Sequence, residues 1–264
     1  MRRNDTSATL EWDPNLYLKF ADQRARPAAD LISQIKLDHP QSIIDLGCGT
    51  GNSTEQLHRR WAQAEITGLD SSASMLEQAR HNHSEWKWIH SSIENWKPEQ
   101  TYGLVFSNAA LHWVPDHAVL FPRLLNAVAR GGAVAVQMPN NFHSPAHQAM
   151  KKVAADPRWA GRLDGASERV HVEPISFYYD VLRKIVASMN FWETEYLQIV
   201  DGPRAILEWL RSTAMRGYLE RLTDDEERKS FEDLCLKEFE RAYPADEDGK
   251  VLFPYKRMFL VAYR

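Results

Sequence analysis

Three glycines at alternating positions form the most informative pattern in this sequence. Gly47, Gly49 and Gly51 follow an apolar segment, 42–44, and the acid Asp45 precedes them. Glycine lets the backbone turn tightly and approach a ligand without a Cβ atom in the way. In open α/β sheets, cofactors bind at such turns, beyond the carboxyl ends of the strands. The pattern therefore predicts a strand that ends in a cofactor-binding turn.

The charge beside this turn limits the kind of cofactor. A dinucleotide fingerprint requires Gly-x-Gly-x-x-Gly, whereas the spacing here is shorter, and the Asp45 carboxylate would repel a pyrophosphate. The same carboxylate would attract an ammonium group. A second acid, Asp70, lies 25 positions further on, after the strand-like run 65–69. A carboxylate there can accept hydrogen bonds from both hydroxyls of a ribose. We therefore expect a ribose-containing cofactor with a cationic tail.

The elements that position these residues alternate between strand and helix over residues 42–138. Asn52 is a good N-cap for the helix after the glycine turn, and Ser72 caps the next helix. A later helix is predicted to begin at Pro115 and to end at 130–132. Short apolar runs predict five strands, at 42–44, 64–69, 86–89, 102–106 and 133–138. This alternation predicts a parallel, doubly wound α/β sheet.

The rest of the chain is less regular. Residues 139–175 are rich in Pro, Asn, His and Gly, and we expect loops there. Two more strands would complete a mostly parallel, seven-stranded, Rossmann-like sheet. The helices between these last two strands would form a cap, inserted before the final strand. The predicted elements are a helix at 177–189, strands at 193–200 and 251–263, and helices at 203–217 and 223–243, the last with a capping box of Thr223 and Glu226.

We expect one domain, residues 1–264, with three functional parts. Residues 1–11 look loosely attached, and Asp13 is a candidate N-cap for the first helix. The predicted parts are N-terminal helices over the cofactor at 12–40, a cofactor-binding core at 42–138, and a substrate-side cap at 139–176 and 203–245.

Length and composition indicate an ordinary soluble globular protein. The 264 residues are 44% hydrophobic and 26% charged, with a formal net charge of −4. There is no long basic run, so no nucleic-acid partner is expected. No apolar stretch suits a signal peptide or a membrane span, so we expect a cytoplasmic protein with no membrane partner. Cys48 and Cys235 form no ligand pattern, so no metal is expected. The expected assembly is a monomer or a small homo-oligomer.

The glycine turn, with its leading acid, preceding strand, following helix and second acid, resembles the signature of the class I S-adenosylmethionine-dependent methyltransferases. The resemblance implies S-adenosyl-L-methionine as cofactor, S-adenosylhomocysteine as product, and no metal. Asp45, Gly47, Gly49 and Gly51 are expected at the amino-acid tail of the cofactor, and Asp70, Ser71 and Met75 at the ribose and adenosine. Ser92 and Ile93 are expected at the adenine, and Asn108 and Ala109 beside the sulfonium.

Further segments resemble one family within this class, the trans-aconitate 2-methyltransferases. The resemblance covers essentially the whole chain and implies esterification of one carboxylate of a small polycarboxylate, trans-aconitate, to the monomethyl ester. The segments are Trp12-Asp13-Pro14-Asn15-Leu16-Tyr17-Leu18, Arg24-Ala25-Arg26-Pro27, Ser107-Asn108-Ala109-Ala110-Leu111-His112-Trp113, Ala135-Val136-Gln137-Met138-Pro139-Asn140 and Tyr178-Tyr179-Asp180.

The acceptor chemistry points to hydrogen-bond donors and positive charge. A carboxylate is ionised at pH 7 and needs no general base, so the enzyme must orient it and neutralise its other carboxylates. Following the resemblance, we expect Arg24, Arg26, His112 and Tyr178 to contact the acceptor. Arg26 could instead pair with a surface acid, and either Tyr178 or Tyr179 could pack. A wider set of candidate donors is Trp113, His143, Tyr179, Arg216, Tyr255 and Arg257.

Other functions remain open at this point. Another small-molecule acceptor, or a carboxylate on an acyl chain held by a carrier protein, would need the same absence of a base. A nucleotide-binding protein without transfer activity is an alternative of a different class, which Asp45 disfavours. A nucleic-acid methyltransferase is disfavoured by the charge balance and by the absence of an Asn-Pro-Pro-Tyr run after the fourth strand.

Overall fold

The computed structural model describes residues 21–159, 161–167, 170–222 and 224–264, with side chains from residue 25 onward. Several predictions therefore fall on residues outside this description. They are the loosely attached residues 1–11, the helix that begins at Asp13, the segment Trp12-Asp13-Pro14-Asn15-Leu16-Tyr17-Leu18 and the capping residue Thr223.

Seven strands form one sheet. Along the chain they are β1 (Ser42–Leu46), β2 (Glu65–Asp70), β3 (Lys87–His90), β4 (Tyr102–Asn108), β5 (Val128–Pro139), β6 (Ser188–Val200) and β7 (Val251–Tyr263). Their order in the sheet is β3-β2-β1-β4-β5-β7-β6. The pairs from β3 through β5 are parallel, and β7 runs antiparallel to β5. The prediction of a mostly parallel, seven-stranded sheet is confirmed.

Helices connect these strands. In the described residues they are α1 (Ala21–Gln34), α2 (Asn52–Arg60), α3 (Ala73–Asn82), α4 (His117–Asn126), α5 (Pro145–Ala154), α6 (Ile175–Leu182), α7 (Gly202–Arg211), α8 (Arg216–Leu219) and α9 (Asp225–Ala242). A single turn of 3-10 helix, Leu111–Trp113, follows β4. None of the helices in this part of the chain has the length and apolarity that a membrane span requires.

The central strands are buried, as parallel strands covered by helices should be. β1 is buried from Ile43 to its end, and β4 is buried at most positions. Each large apolar side chain removed from water contributes roughly 1.5–3 kcal/mol to folding. The core cluster on one side of the sheet includes Ile44, Leu69, Val105, Phe121, Leu124, Val136, Met138, Tyr178, Met258 and Leu260.

The strand order places a topological switch point beside β1. The chain runs from β1 through β2 to β3 on one side, and from β4 to β5 on the other. Ligands of open α/β sheets bind at such a point, outside the carboxyl ends of the strands. The turn after β1 and the segment after β4, which begins at Ala109, both lie there.

The described residues group into two compact units. The sheet unit comprises residues 21–140, 170–195 and 256–264, and the helical unit comprises the described residues between 141 and 167 and between 196 and 255. The helical unit has its own core, which includes Trp209, Phe231, Phe239 and Phe253. The predicted insertion of helices between the last two strands is confirmed, since α7, α8 and α9 lie there. Residues 170–176, predicted to belong to the cap, group instead with the sheet unit.

Several predicted boundaries are wrong. The segment 139–175 contains the helix α5, whose first-turn Pro145 and buried Ala146, Ala149, Met150 and Val153 show a helical pattern hidden by the polar composition. The helix predicted to run from Pro115 to 130–132 is α4, which ends at Asn126, and β5 already begins at Val128. The N-cap of α2 is Gly51, one residue before the predicted Asn52, and the N-cap of α9 is Asp224, whose side chain accepts the N–H of Glu226.

Candidate active site

The turn after β1 is fixed from two directions. The backbone N–H groups of Gly47 and Cys48 both donate to the carbonyl of Leu69, at 2.7 and 3.0 Å, which ties the turn to β2. Gly47 has a φ of +75°, and a Cβ atom built on it would lie 2.2 Å from the Cβ of Ala110. Only glycine meets both requirements. The turn after β1 therefore contacts the segment that follows β4.

Asp70 organises the same turn with its carboxylate. One oxygen accepts the N–H of Gly49 and the other accepts the N–H of Ser72, each at 2.8 Å. A carboxylate oxygen has two lone pairs, so each can accept one further hydrogen bond. Asp70 is only partly buried, and a Cβ atom on Gly49 would meet nothing within 4 Å. Open space therefore adjoins a carboxylate with acceptor capacity, as the hydroxyls of a ribose require.

Asp45 is fully buried below this turn. Its Oδ2 accepts hydrogen bonds from the hydroxyls of Ser53 and Thr54, both at 2.7 Å. Its Oδ1 is buried and has no hydrogen-bond partner among the described residues. Burial raises the pKa of Asp45 to about 6, against the opposing effect of the two hydroxyls. The carboxylate is therefore mostly ionised at pH 7, and its negative charge favours a cationic ligand group nearby.

The remaining residues predicted to contact the cofactor differ in exposure. Ser71 is exposed, Ser92 is half-buried, and Met75 is 4% exposed in the core. Ile93 is also buried, and its Cδ1 lies 3.9 Å from the position of a Cβ on Gly47. Ile93 therefore packs close to the turn. The contacts of these residues with a cofactor stay predictions.

The backbone directly after β4 is strained. Ala109 has a φ of +55°, a conformation that costs an alanine about 1–2 kcal/mol. Its N–H donates to the carbonyl of Gln137 at 2.9 Å. The preceding residue, Asn108, has a buried Oδ1 with no partner among the described residues. Because such strain concentrates at functional sites, the place of Asn108 and Ala109 near Gly47 fits a role in the site.

His112 lies in the 3-10 helix and is 5% exposed. Burial, then the positive charge of Arg257, and then the electrostatic effect of His117 lower the pKa of His112 to about 3. The imidazole is therefore neutral at pH 7. Its Nδ1 is buried and without a partner among the described residues. Contact of His112 with the acceptor stays a prediction, and a neutral ring would orient a carboxylate without balancing its charge.

The prediction that Tyr178 contacts the acceptor needs correction. The ring is fully buried, and its hydroxyl accepts the N–H of Glu173 at 3.0 Å and lies 2.7 Å from Nδ1 of His117. Nε2 of His117 lies 3.0 Å from the carbonyl of Leu111, which can only accept, so Nδ1 receives the tyrosine proton. Tyr178 therefore positions the 3-10 helix through His117.

Arg24 and Arg26, the two predicted arginines, both lie in α1. Arg26 has a side chain that is 68% exposed and lies 4.0 Å from Asp30, the surface pairing considered as its alternative role. The side chain of Arg24 lies outside the described residues. The wider set of candidate donors divides into exposed His143 and Tyr179, half-buried Trp113 and Arg216, and buried Tyr255 and Arg257.

Gln137 is a buried polar residue that the sequence analysis did not single out. It lies in β5, is 0% exposed, and accepts a hydrogen bond from Nη1 of Arg257 at 3.2 Å. Its Nε2 has no partner among the described residues. The sequence signal that could have singled out this residue is a glutamine inside the otherwise apolar run 133–138. Such a position is informative because burying an amide without hydrogen bonds costs free energy.

Comparison with known proteins finds a domain family and relatives that match along nearly the whole chain. The family described as "Methyltransferase domain" matches residues 43–132. A trans-aconitate 2-methyltransferase from Azoarcus sp. (strain BH72) is 42% identical over 253 residues, which cover 96% of this chain and 99% of the relative. A second trans-aconitate 2-methyltransferase, from Yersinia pestis (strain Pestoides F), is 41% identical over 254 residues, which cover 96% of this chain and 98% of the relative.

Solved structures share the fold at low identity. A phosphoethanolamine N-methyltransferase 2 from Haemonchus contortus, in complex with S-adenosylhomocysteine, has a TM-score of 0.56 at 16% identity over 90% of this chain. The match spans about half of that longer protein, 52%. The YcgJ protein from Bacillus subtilis has a TM-score of 0.56 at 13% identity, over 90% of this chain and 99% of its own.

The sheet order, the glycine turn and the two acids define a class I S-adenosylmethionine-dependent methyltransferase. With relatives about 40% identical along nearly its full length, the chain belongs to the trans-aconitate 2-methyltransferase family.

Proposed function

We propose that the protein transfers a methyl group from S-adenosyl-L-methionine to one carboxylate of trans-aconitate, giving the monomethyl ester and S-adenosylhomocysteine. The observation that carries the proposal is the similarity to enzymes of that name, 42% identity over 96% of the chain. The site chemistry supports it, because the described residues supply a cofactor turn and polar groups for an anionic acceptor. We propose that the protein acts in the cytoplasm, as a monomer or a small homo-oligomer.

The residues around the β1 turn would hold the cofactor. When bound, S-adenosyl-L-methionine supplies a methyl group on a sulfonium sulfur. The ionised Asp45 favours the ammonium of the amino-acid tail, and Asp70 accepts from the ribose hydroxyls with the lone pairs that Gly49 and Ser72 leave unused. Gly47, Gly49 and Gly51 let the backbone come close to the cofactor.

The acceptor side of the reaction needs orientation but no proton removal. Carboxylic acids with ordinary pKa values near 4 are ionised at neutral pH, so the attacking oxygen is already nucleophilic. The low pKa of His112, about 3, agrees with a site that needs no imidazolium. Alignment of reacting groups alone can supply roughly 7–11 kcal/mol of the barrier reduction. We propose that Asn108 lies beside the sulfonium, and that Arg24, Arg26 and His112 contact the acceptor.

Mass spectrometry tests the proposal directly. The purified protein is incubated with S-adenosyl-L-methionine and, separately, with trans-aconitate, cis-aconitate, citrate or a malonyl chain on an acyl carrier protein. The expected result is a monomethyl ester of trans-aconitate, formed faster than any other product. Asp70→Ala serves as the control with a weakened cofactor site. Preferential methylation of another acceptor would overturn the substrate assignment, and failure to bind the cofactor would overturn the function as a whole.

A further inference from the structure

Three polar side chains lie in a row on one face of the sheet, on the adjacent strands β4, β5 and β7. Asn108 is in register with Gln137 across the parallel pair, so both point to the same face. Across the antiparallel pair, Gln137 is opposite Phe259 and Pro139 is opposite Arg257. Since side chains alternate between faces, Arg257 shares the face of Gln137 and lies diagonal to it.

Two of the three side chains, those of Gln137 and Arg257, are buried, and Asn108 is half-buried. Gln137 is 0% and Arg257 is 6% exposed. Nη1 of Arg257 donates to Oε1 of Gln137 at 3.2 Å, which turns the amide so that Nε2 carries N–H donors without a partner among the described residues. Buried polar groups are normally hydrogen-bonded, and the exceptions in native structures call for an explanation. A ligand with acceptor oxygens provides one.

The chemistry of the row suits an anion. The guanidinium of arginine has five N–H donors in a planar fork, and an amide N–H adds another, whereas a carboxylate offers two acceptor oxygens. His112, close enough to Arg257 for the guanidinium to lower its pKa, is neutral and adds no second positive charge. Glu193, on the neighbouring strand β6, pairs with Lys256, the residue next to Arg257, at 2.7 Å.

The row also lies at the correct end of the sheet. Asn108 ends β4, and Ala109, which follows it, donates its N–H to the carbonyl of Gln137. Ala110, the next residue, contacts the Gly47 turn. The polar row is therefore connected to the cofactor turn by three consecutive residues.

We propose that Arg257 and the side-chain amide of Gln137 bind one carboxylate of the methyl acceptor. The proposal rests on the proposed function, since it assigns residues to its acceptor. The carboxylate held by this pair is one of those that are not methylated, because two strong donors reduce the nucleophilicity of the oxygens they bind.

Titration calorimetry tests the assignment apart from turnover. Trans-aconitate is titrated into the protein saturated with S-adenosylhomocysteine, for the wild type, Arg257→Gln, Gln137→Ala and Lys256→Gln. Arg257→Gln should weaken acceptor binding by roughly 10- to 100-fold, the effect of losing a charge-assisted hydrogen bond, and Gln137→Ala by less. Lys256 is the more exposed neighbour of Arg257 in the chain. Lys256→Gln removes a charge there and should change the affinity for trans-aconitate by less than about twofold. Affinity for S-adenosylhomocysteine should stay the same in all four.

Three dicarboxylates identify the bound group. Itaconate, mesaconate and cis-glutaconate each lack a different carboxylate of trans-aconitate. Arg257→Gln should weaken binding of two of them as strongly as it weakens binding of trans-aconitate. For the third, which lacks the carboxylate held by Arg257, wild type and variant should bind equally. An equal penalty for all three would overturn the proposal, because it would mean a general effect of the substitution.

A second variant keeps the test decisive where Arg257→Gln fails to fold. Gln137→Glu retains the shape and places a carboxylate beside Arg257, which would compete with the acceptor. It should weaken trans-aconitate binding more than Gln137→Ala does. Unchanged acceptor binding in Gln137→Glu would overturn the inference while wild-type methylation of trans-aconitate upholds the proposed function. A wild type that neither binds nor methylates trans-aconitate overturns both.

Discussion

Gly47, in the turn after β1, packs against Ala110, in the segment after β4: a Cβ atom on Gly47 would lie 2.2 Å from the Cβ of Ala110. Ala110 has no flexible side chain that could move aside, so a larger residue at position 47 must displace backbone. The turn after β1 and the segment after β4 are therefore positioned by the same contact. Substitutions at this contact should affect stability and the site together.

Gly47→Ala should destabilise the protein through both conformation and contact. The positive φ alone costs an alanine about 1–2 kcal/mol, and the contact with Ala110 adds about 1–3 kcal/mol of overpacking. Gly131→Ala is a matched control, because Gly131 has a φ of +78° but nothing within 4 Å of an added Cβ. Urea unfolding should show a clearly larger loss for Gly47→Ala. Equal losses in the two variants would show that the contact with Ala110 contributes nothing.

Asp70→Ala should weaken cofactor binding by at least about tenfold, since it removes the side-chain acceptor and releases the N–H groups of Gly49 and Ser72. Calorimetric titration with S-adenosylhomocysteine measures the change. Glu77→Gln, at an exposed position of α3, is the control for loss of one negative charge. An affinity of Asp70→Ala within about twofold of the control would remove Asp70 from the cofactor site.

The stability of the cofactor-free protein should depend on Asp45 at mildly acid pH. Burial raises the pKa of Asp45 from 3.8 to about 6, so the native state binds the proton more tightly than the unfolded chain does. The contribution of this group to stability therefore falls as pH rises between about 4 and about 6, by about 3 kcal/mol at most. Asp45→Asn should lose this slope, which urea unfolding at several pH values would reveal. A slope identical to that of the wild type would contradict the buried, titrating carboxyl.

Cofactor binding should show the opposite dependence on pH. Affinity should rise as pH increases through about 6, because the ionised carboxylate of Asp45 attracts the ammonium of the cofactor. In Asp45→Asn the affinity should be lower at neutral pH and less dependent on pH. Calorimetric titration between about pH 5 and about pH 7.5 compares the two proteins. Equal affinities at neutral pH would place the ammonium away from Asp45.

Tyr178→Phe separates a positioning role from contact with the acceptor. Without the hydroxyl, Nδ1 of His117 and the N–H of Glu173 lose their partner, at a cost of about 1–3 kcal/mol of stability. Tyr179→Phe, at a ring that is 50% exposed, should cost almost nothing. The KM for trans-aconitate should remain that of the wild type at temperatures where the variant is folded. A raised KM without loss of stability would restore Tyr178 to the acceptor site.

Much of the structure around the turn after β1 could be predicted from the sequence because its determinants are local. The glycine spacing, the acid Asp45 before it and the apolar runs on both sides fix a strand, a turn and a helix within about 20 residues. The alternation of such units then leaves few possible sheets. Boundaries were less predictable, as α5 shows, because its helical pattern lies within a segment of loop-like composition.

The amino-acid sequence by itself determined the fold class, the cofactor turn and the two acids, since each depends on residues close together in the chain. Only the tertiary structure decided which of the many polar side chains are buried together. Tyr178 meets His117 in the core, and Arg257 meets Gln137 across 120 positions of sequence. Such pairs depend on how distant strands align, and shifting a strand by one residue would turn its side chains to the other face of the sheet.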